Sequence, residues 1–416
     1  MVSERFQPAS RPNAASRRRR RPPRIAAVPV AGALVLGGLT GCGSGDLSDA
    51  EAEIGAAKNE VAVQKAMQKV VKAGYPGVMV SVKGKDGETR DYSAGVGDRE
   101  TGEAPPKNGH MRIASNTKTF VAATVLQLVG EGKLKLDAPI DTYLPGVVRG
   151  PDYSGANITV RHLLGHSSGI PDYTAALVPD TAGMPTKTYT AEQLLAPALK
   201  AKAVFPVGKK REYSNTNYVI AGMLIEKATG KPVGDAVTER VIDRLGLEDT
   251  HWPKPGDTNV PKPRMEGYTA PPGGKLKNVT GMNPSISGAA GMIVSRPRDL
   301  SAFFAGLVGG RLMPAEQLRE MQKTVESPGS GMPNTTYGLG LDEMTLSCGR
   351  IWGHGGDIHG YQSRGGVTTD GREVTVVVNA LPAAIISKQS SMEAMEKEAM
   401  QKMKVVMDLV DTAICE

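Results

Sequence analysis

Two serines in this chain have neighbours that could make a hydroxyl nucleophilic. Ser167 lies in Gly165-His166-Ser167-Ser168-Gly169, which fits G-x-S-x-G, a turn that exposes a serine between a strand and a helix. Ser115 forms S-x-x-K with Lys118, at the opening of a helical pattern in MRIASNTKTFVAATVLQLVGEGKL. Residues three apart share a helix face, so Lys118 can reach Ser115. A lysine buried among apolar neighbours loses its proton more readily and can act as a base. The helix start adds backbone N–H groups and a positive dipole end where an oxyanion would form. Both serines point to acyl transfer, on different folds.

Context separates them. The elbow of α/β-hydrolases needs a strand before the serine and a helix directly after it. After Ser167 come Ser168-Gly169-Ile170-Pro171-Asp172, and Gly169 and Pro171 both disfavour a helix. The run GHGGD (353–357) looks like the oxyanion loop of esterases, but it follows the serine instead of preceding it. Ser115 is therefore expected to be the nucleophile. Tyr213 and Asn215, in REYSNTNYVIAGMLIEKATG, are two apart and can both point into one cleft from an extended segment or tight loop. A phenol beside Lys118 could shuttle protons, and the Asn215 amide could hold a substrate amide. His354-Gly355-Gly356 begins a strand edge, where glycine admits a substrate backbone closely. Taken singly, these boxes are also a core aromatic, a turn and a strand-end glycine pair. His162 and His166 are four apart, but no Glu follows His162 as in zinc peptidases. They are expected to pack and to bond loops, and no metal is implied.

These residues need elements to position them. Ser48-Asp49-Ala50-Glu51 is a capping box that opens a helix over about Asp49–Lys72, with Ile54, Ala57, Val61 and Val71 near one face. Gly74 and Pro76 stop it. GVMVSVK (77–83) and TRDYSAGVG (89–97) read as strands joined by a hairpin at Lys85-Asp86-Gly87. Residues from about 110 to 300 show helical patterns and long loops. GRIWGH (349–354), YQSRGGV (361–367) and EVTVVVN (373–379) return to strands, with Asp370-Gly371 as the last turn. A final helix over 389–414 carries Met392, Met395, Ala399, Met403, Val406 and Val410, a stripe expected to face the core. This order predicts an α/β (α+β) fold. A five-stranded antiparallel sheet would have the terminal helices on one face and the helical insert on the other.

The boxes S-x-x-K, Y-x-N and H-x-G, in this order, resemble the serine β-lactamase and penicillin-binding superfamily. The closest likeness is to the D-alanyl-D-alanine carboxypeptidases of streptomycetes and the class C-like serine hydrolases around them. It runs from about Tyr75 to the C-terminus and includes LQLVGEGKLKLDAPIDTYLPG, YGLGLD and LSCG. HLLGHSSGI is itself a recurring segment of that family, beside the cleft and not nucleophilic. The resemblance implies Ser115 as the acylated residue and Lys118 as its base. Tyr213 would relay protons, Asn215 would position substrate, and His354 would support the relay. The oxyanion hole would be the backbone N–H groups of Ser115 and Asp357. No cofactor is implied.

The departures concern substrate. Carboxypeptidase members usually carry Thr or Ser where Gly355 stands, and the streptomycete enzyme has an Arg where Asp342 stands; both hold the substrate carboxylate. With Gly355, Gly356, Asp357 and His359 around the third box, an acidic rim would favour a free amine or a neutral ester or amide. The expected function is an acyl-enzyme hydrolase of the carboxypeptidase type on D-amino-acid peptides. D-aminopeptidase or esterase action is the alternative, and a penicillin-binding sensor module the non-enzymatic one. β-Lactam hydrolysis is disfavoured. Partners would be a small peptide, amide or ester, including peptidoglycan stem peptides.

A chain of 416 residues with 40% hydrophobic content can bury a large core. The net charge of +7 belongs to residues 1–24, which hold eight Arg and one Glu; the remainder balances at 42 basic and 42 acidic residues. The body therefore offers no general electrostatic case for nucleic acid. The basic run leads into IAAVPVAGALVLGGLTGC, an apolar stretch ending in small residues, which reads as an export signal over 1–41. A membrane anchor is the alternative, but the run is short and holds Pro29 and several Gly. Leu39-Thr40-Gly41-Cys42 looks like the lipobox of bacterial lipoproteins, which implies a lipid on Cys42 and a place on the outer face of the cytoplasmic membrane, or secretion. Residues 42–50 would be a tether and 51–416 the hydrolase domain. Cys348 and Cys415 remain, and in an exported protein they are expected to form a disulfide. Two separate buried thiols are the alternative, since sequence gives no distance between them.

Overall fold

Strand β1 (Gly77–Lys83) organises the architecture, because its apolar residues serve both sides of a sheet. A computed structural model describes residues 46–177, 186–326, 334–388 and 391–415, with side chains from residue 59 onward. In it Val78, Val80 and Val82 turn to one face, while Met79 turns to the other. β1 pairs with β2 (Thr89–Gly95), as the Asp86-Gly87 hairpin predicts.

Seven further strands complete the sheet: β3 (Val325–Glu326), β4 (Thr335–Tyr337), β5 (Asp342–Leu346), β6 (Gly349–Gly353), β7 (Gly356–Ile358), β8 (Tyr361–Thr368) and β9 (Glu373–Val378). The order is β2-β1-β9-β8-β6-β5-β4-β3, with β7 paired to β8. All these pairings are antiparallel. Val78, Val80 and Val82 stand opposite Val378, Val376 and Val374, a β-branched ladder that fixes the register. Among the described residues the sheet thus has nine strands and not five. The extra ones are two to five residues long, too short to show a period-2 pattern.

Helix α1 (Asp46–Lys72) and the last helix, α7 (Met392–Cys415), cover one face. Val63, Met67 and Val70 of α1 and Val406, Leu409 and Val410 of α7 pack on the valines of β1 and β9. α1 begins three residues before the predicted start, so Asp46–Ala50 is helix and not tether. The methionine stripe needs a correction as well. Met392 is 68% exposed, and the buried residues of α7 lie in its second half, from Val406 to Ile414. Cys348 and Cys415 form the expected disulfide, with Cα atoms 5.3 Å apart, tying the end of α7 to the β5–β6 turn. The export signal, Cys42 and the first tether residues lie outside the described residues.

The insert covers the other face. It holds α2 (Asn116–Gly130), α3 (Val160–Leu164), α4 (Ala191–Lys200), α5 (Asn215–Thr229) and α6 (Pro297–Val308). α6 lies on the sheet through Phe303, whose ring stacks on Phe120 of α2 at 3.6 Å. Met111–Arg112 pairs with Val294–Ser295, so the segment between them leaves and returns at one short ladder, and α6 follows it.

Candidate active site

The ladder sets the first wall of a cleft. Ser115 follows it by three residues and stands at the N-cap of α2. Ala114, just before it, has φ of 49°, a left-handed conformation that a residue with a Cβ holds only when its surroundings impose it. They do so here: Thr117 N–H donates to Ala114 O at 2.9 Å, and Asn116 Nδ2 donates to Ile113 O and to Ser363 Oγ of β8, both at 2.8 Å. The bond to Ser363 fixes α2 against the sheet.

Lys118 lies one turn into α2 and is fully buried. Its Nζ contacts Ser115 Oγ at 3.0 Å, Asn215 Oδ1 at 2.7 Å and Ala290 O at 2.8 Å. Burial pulls its pKa down to about 7, against the carboxylates of Asp172 and Asp357, which favour the ammonium. Tyr213 lies beside it, with Lys118 Nζ 4.8 Å from the ring centre and the phenol facing Ser115. Burial pushes the Tyr213 pKa well above its ordinary value, so the resting side chain is a phenol and not a phenolate. Of the two candidate bases beside Ser115, Lys118 is the one available near neutral pH.

Asn215 opens α5 and faces both Lys118 and Asp172, whose Oδ2 accepts from Asn215 N at 3.0 Å and from Nδ2 at 2.8 Å. Sequence reasoning missed Asp172, taking Pro171-Asp172 only as a helix-breaking run. It also missed Ala290, whose signal was the small-residue run SGAAG in the loop that the ladder holds beside α2.

The third wall is the edge strand β7. Gly356 is required there: a Cβ would stand 2.3 Å from Ile113 O and 2.5 Å from Asn116 Nδ2. Asp357 is partly exposed; its carboxylate pairs with Arg364 at 2.8 Å and accepts from Gln362 Nε2 at 2.8 Å. His359 lines the cleft and contacts Thr269 Oγ1 through Nδ1 at 3.3 Å.

Two further residues of the sequence reading do not line the cleft. Burial lowers the His354 pKa to about 3, so the ring is neutral. Its Nε2 meets Tyr337 Oη at 3.3 Å, and it makes no hydrogen bond to Ser115, Lys118 or Tyr213. It supports the wall from behind. Asp342 is buried on β5 opposite Gly353, and burial raises its pKa to about 7, against the lowering effects of the Gly355 backbone and Arg364. It does not line the cleft.

The cleft encloses about 250 Å³ between Ser115, Asn215 and Asp357, with Met282, Ile286, Ile358 and Leu381 as its apolar side. Ser167 does not line it. A short helix precedes Ser167 where an elbow needs a strand, and no helix begins directly after it. His166 packs against Tyr213 at 4.4 Å between ring centres and takes Ser214 N–H on Nδ1 at 3.3 Å, the loop-bonding role expected of it.

A family model described as "Beta-lactamase" matches residues 61–384. A solved D-stereospecific amidohydrolase from Streptomyces sp. is 38% identical, with a TM-score of 0.71, covering 82% of this chain and 98% of that one. A D-amino acid amidase from Ochrobactrum anthropi SV3 is 28% identical, with a TM-score of 0.70, covering 84% of this chain and 99% of that one. A D-aminopeptidase from Cereibacter sphaeroides is 26% identical over 71% of this chain and 55% of its own length. The chain spans about half the length of the curated relatives it matches.

Proposed function

The chain belongs to the beta-lactamase family, and from that premise we propose that this serine hydrolase cleaves amides or peptides of D-amino acids with a free amino group. Neutral Lys118 takes the Ser115 proton as Oγ attacks the carbonyl. The N–H groups of Ser115 and Asp357 receive the oxyanion. Tyr213 gives its proton to the departing amine and is reprotonated through Lys118. Water then hydrolyses the acyl-enzyme by the same groups in reverse.

One observation carries the substrate class. Among the described residues lining the cleft, Asp357 is the one Asp, Glu, Lys or Arg. The Asp357 carboxylate is half exposed and, although paired with Arg364, keeps lone pairs that can accept from an amine and not from a terminal carboxylate. The apolar side suits an apolar side chain on the same residue. The names of the relatives, an amidohydrolase, an amidase and an aminopeptidase acting on D-residues, support this reading over the carboxypeptidase one.

The test compares kcat/KM for D-phenylalanine amide, its N-acetyl derivative and a dipeptide ending in D-Ala-D-Ala. The free amine is expected to lead by about tenfold, and Asp357→Asn to erase most of that lead, as loss of one part-exposed charge pair implies. Preference for the D-Ala-D-Ala carboxylate would sink the reading. For location, we propose an exported lipoprotein anchored through Cys42. The Cys348–Cys415 disulfide suits an oxidising compartment and supports it. Cys42→Ser should release the protein from the membrane fraction, and retention there would contradict the anchor.

A further inference from the structure

Asp172 does not touch Ser115, yet it governs what does. Its Oδ2 holds the backbone and side-chain N–H groups of Asn215, and its Oδ1 accepts from Thr174 N and Thr174 Oγ1, both at 2.9 Å. A carboxylate only accepts hydrogen bonds, so the Asn215 amide meets it through Nδ2 and turns Oδ1 towards Lys118. The Ala290 carbonyl, the second partner of Lys118, is also an acceptor only. A neutral amine has two hydrogens and one lone pair. Two acceptors take the two hydrogens, and the lone pair is left for the third neighbour. That neighbour is Ser115 Oγ, the only one of the three with a hydrogen to give.

We propose that Asp172 is a positioning residue that aims the Lys118 lone pair at the Ser115 hydroxyl by locking the orientation of the Asn215 amide. With that amide reversed, its N–H would face the amine, and the lone pair would be drawn to Asn215 and away from the nucleophile. The inference rests on the reading of Lys118 as the base.

The lock has an electrostatic consequence. Lys118 is faced by the carboxylates of Asp172 and Asp357, by the rings of Tyr213 and Tyr218, and by the imidazoles of His166 and His354, both kept neutral by burial. Asp172 is the stronger of the two influences that oppose deprotonation. Losing its carboxylate therefore makes Lys118 easier to deprotonate while leaving it badly aimed. The limb reads the charge of Asp172, and the plateau in a variant that keeps the charge reads its positioning of Asn215.

The experiment follows the rate of Ser115 acylation by a chromogenic ester against pH, in wild type, Asp172→Ala, Asp172→Glu and Thr174→Val. Asp172→Ala is expected to lower the plateau by about tenfold or more, within the span of general-base effects, and to move the acid limb to lower pH. Asp172→Glu keeps the charge but displaces the oxygen, so its plateau falls while its limb stays. Thr174→Val loses one bond to Asp172 and should keep both within about twofold. A wild-type plateau in Asp172→Ala overturns the proposal, as does a lowered plateau with an unmoved limb. If Asp172→Ala does not fold, Asp172→Glu decides, and a wild-type plateau there overturns it. A wild-type plateau in Lys118→Met would instead refute Lys118 as the base, a separate failure.

Discussion

Replacing Lys118 by Met should abolish catalysis and make the stability difference from wild type change with pH. The ordinary lysine pKa of 10.5 falls to about 7 at this fully buried site, chiefly through desolvation. At about 1.4 kcal/mol per pH unit, an ordinary lysine brought to such a site weighs against folding by about 4 kcal/mol at pH 7. The sign follows from proton counts. Between pH 7 and 10.5 the unfolded chain keeps a proton that the folded chain has lost, so wild-type stability gains on the variant as pH rises through this window. The Lys118→Met change also strands the Asn215 and Ala290 oxygens, at about 1–3 kcal/mol each where water cannot reach them. That loss does not depend on pH, and other titrating groups are common to both proteins. The assay is urea unfolding of the protein and its Lys118→Met variant from pH 6.5 to 10.5. The stability difference is expected to shift by about 4 kcal/mol in favour of wild type across the range. A difference constant with pH would refute the claim that Lys118 is a desolvated, readily deprotonated amine.

Further outcomes follow from the same geometry. The kcat/KM of wild type should fall on the acid side below pH 7, to about 1% of its plateau at pH 5, as Lys118 takes up its proton. Asp342, whose pKa is also raised to about 7, does not line the cleft, so the limb should persist in Asp342→Asn. Gly356→Ala drives a Cβ into Ile113 O and should cost most of the activity, whereas Gly355→Ala, which meets only Arg364 Nη1 at 3.1 Å, should keep it within about tenfold; equal rates would contradict the packing. Cys348→Ser should reduce unfolding stability by up to about 4 kcal/mol, the loop-closure value for a separation of 67 residues, and an unchanged urea midpoint would deny the disulfide a stabilising role.

The strands that carry an unbroken valine period were legible in the sequence, and so was the catalytic helix. Gly77–Lys83 has the predicted boundaries because turn residues flank an apolar run on both sides. Val325–Glu326 and Thr335–Tyr337 were not legible, since strands this short are set by pairing partners and not by their own pattern. In the site, Ser115, Lys118, Tyr213 and Asn215 converge as their spacing implied. Asp172 was missed because its partner lies 43 residues away, and a short-range reading sees only a turn. His354 and Asp342 do not line the cleft, and the reason is the opposite one. Their positions along the chain fit the motif, but strand pairing turns one towards Tyr337 and buries the other opposite Gly353.

The central claim is that Ser115 is the nucleophile, and covalent labelling tests it most directly. The protein would be treated with a fluorophosphonate and the modified peptide mapped by mass spectrometry. The account predicts label on the peptide containing Ser115, lost in Ser115→Ala and retained in Ser167→Ala. Label on Ser167 would contradict it.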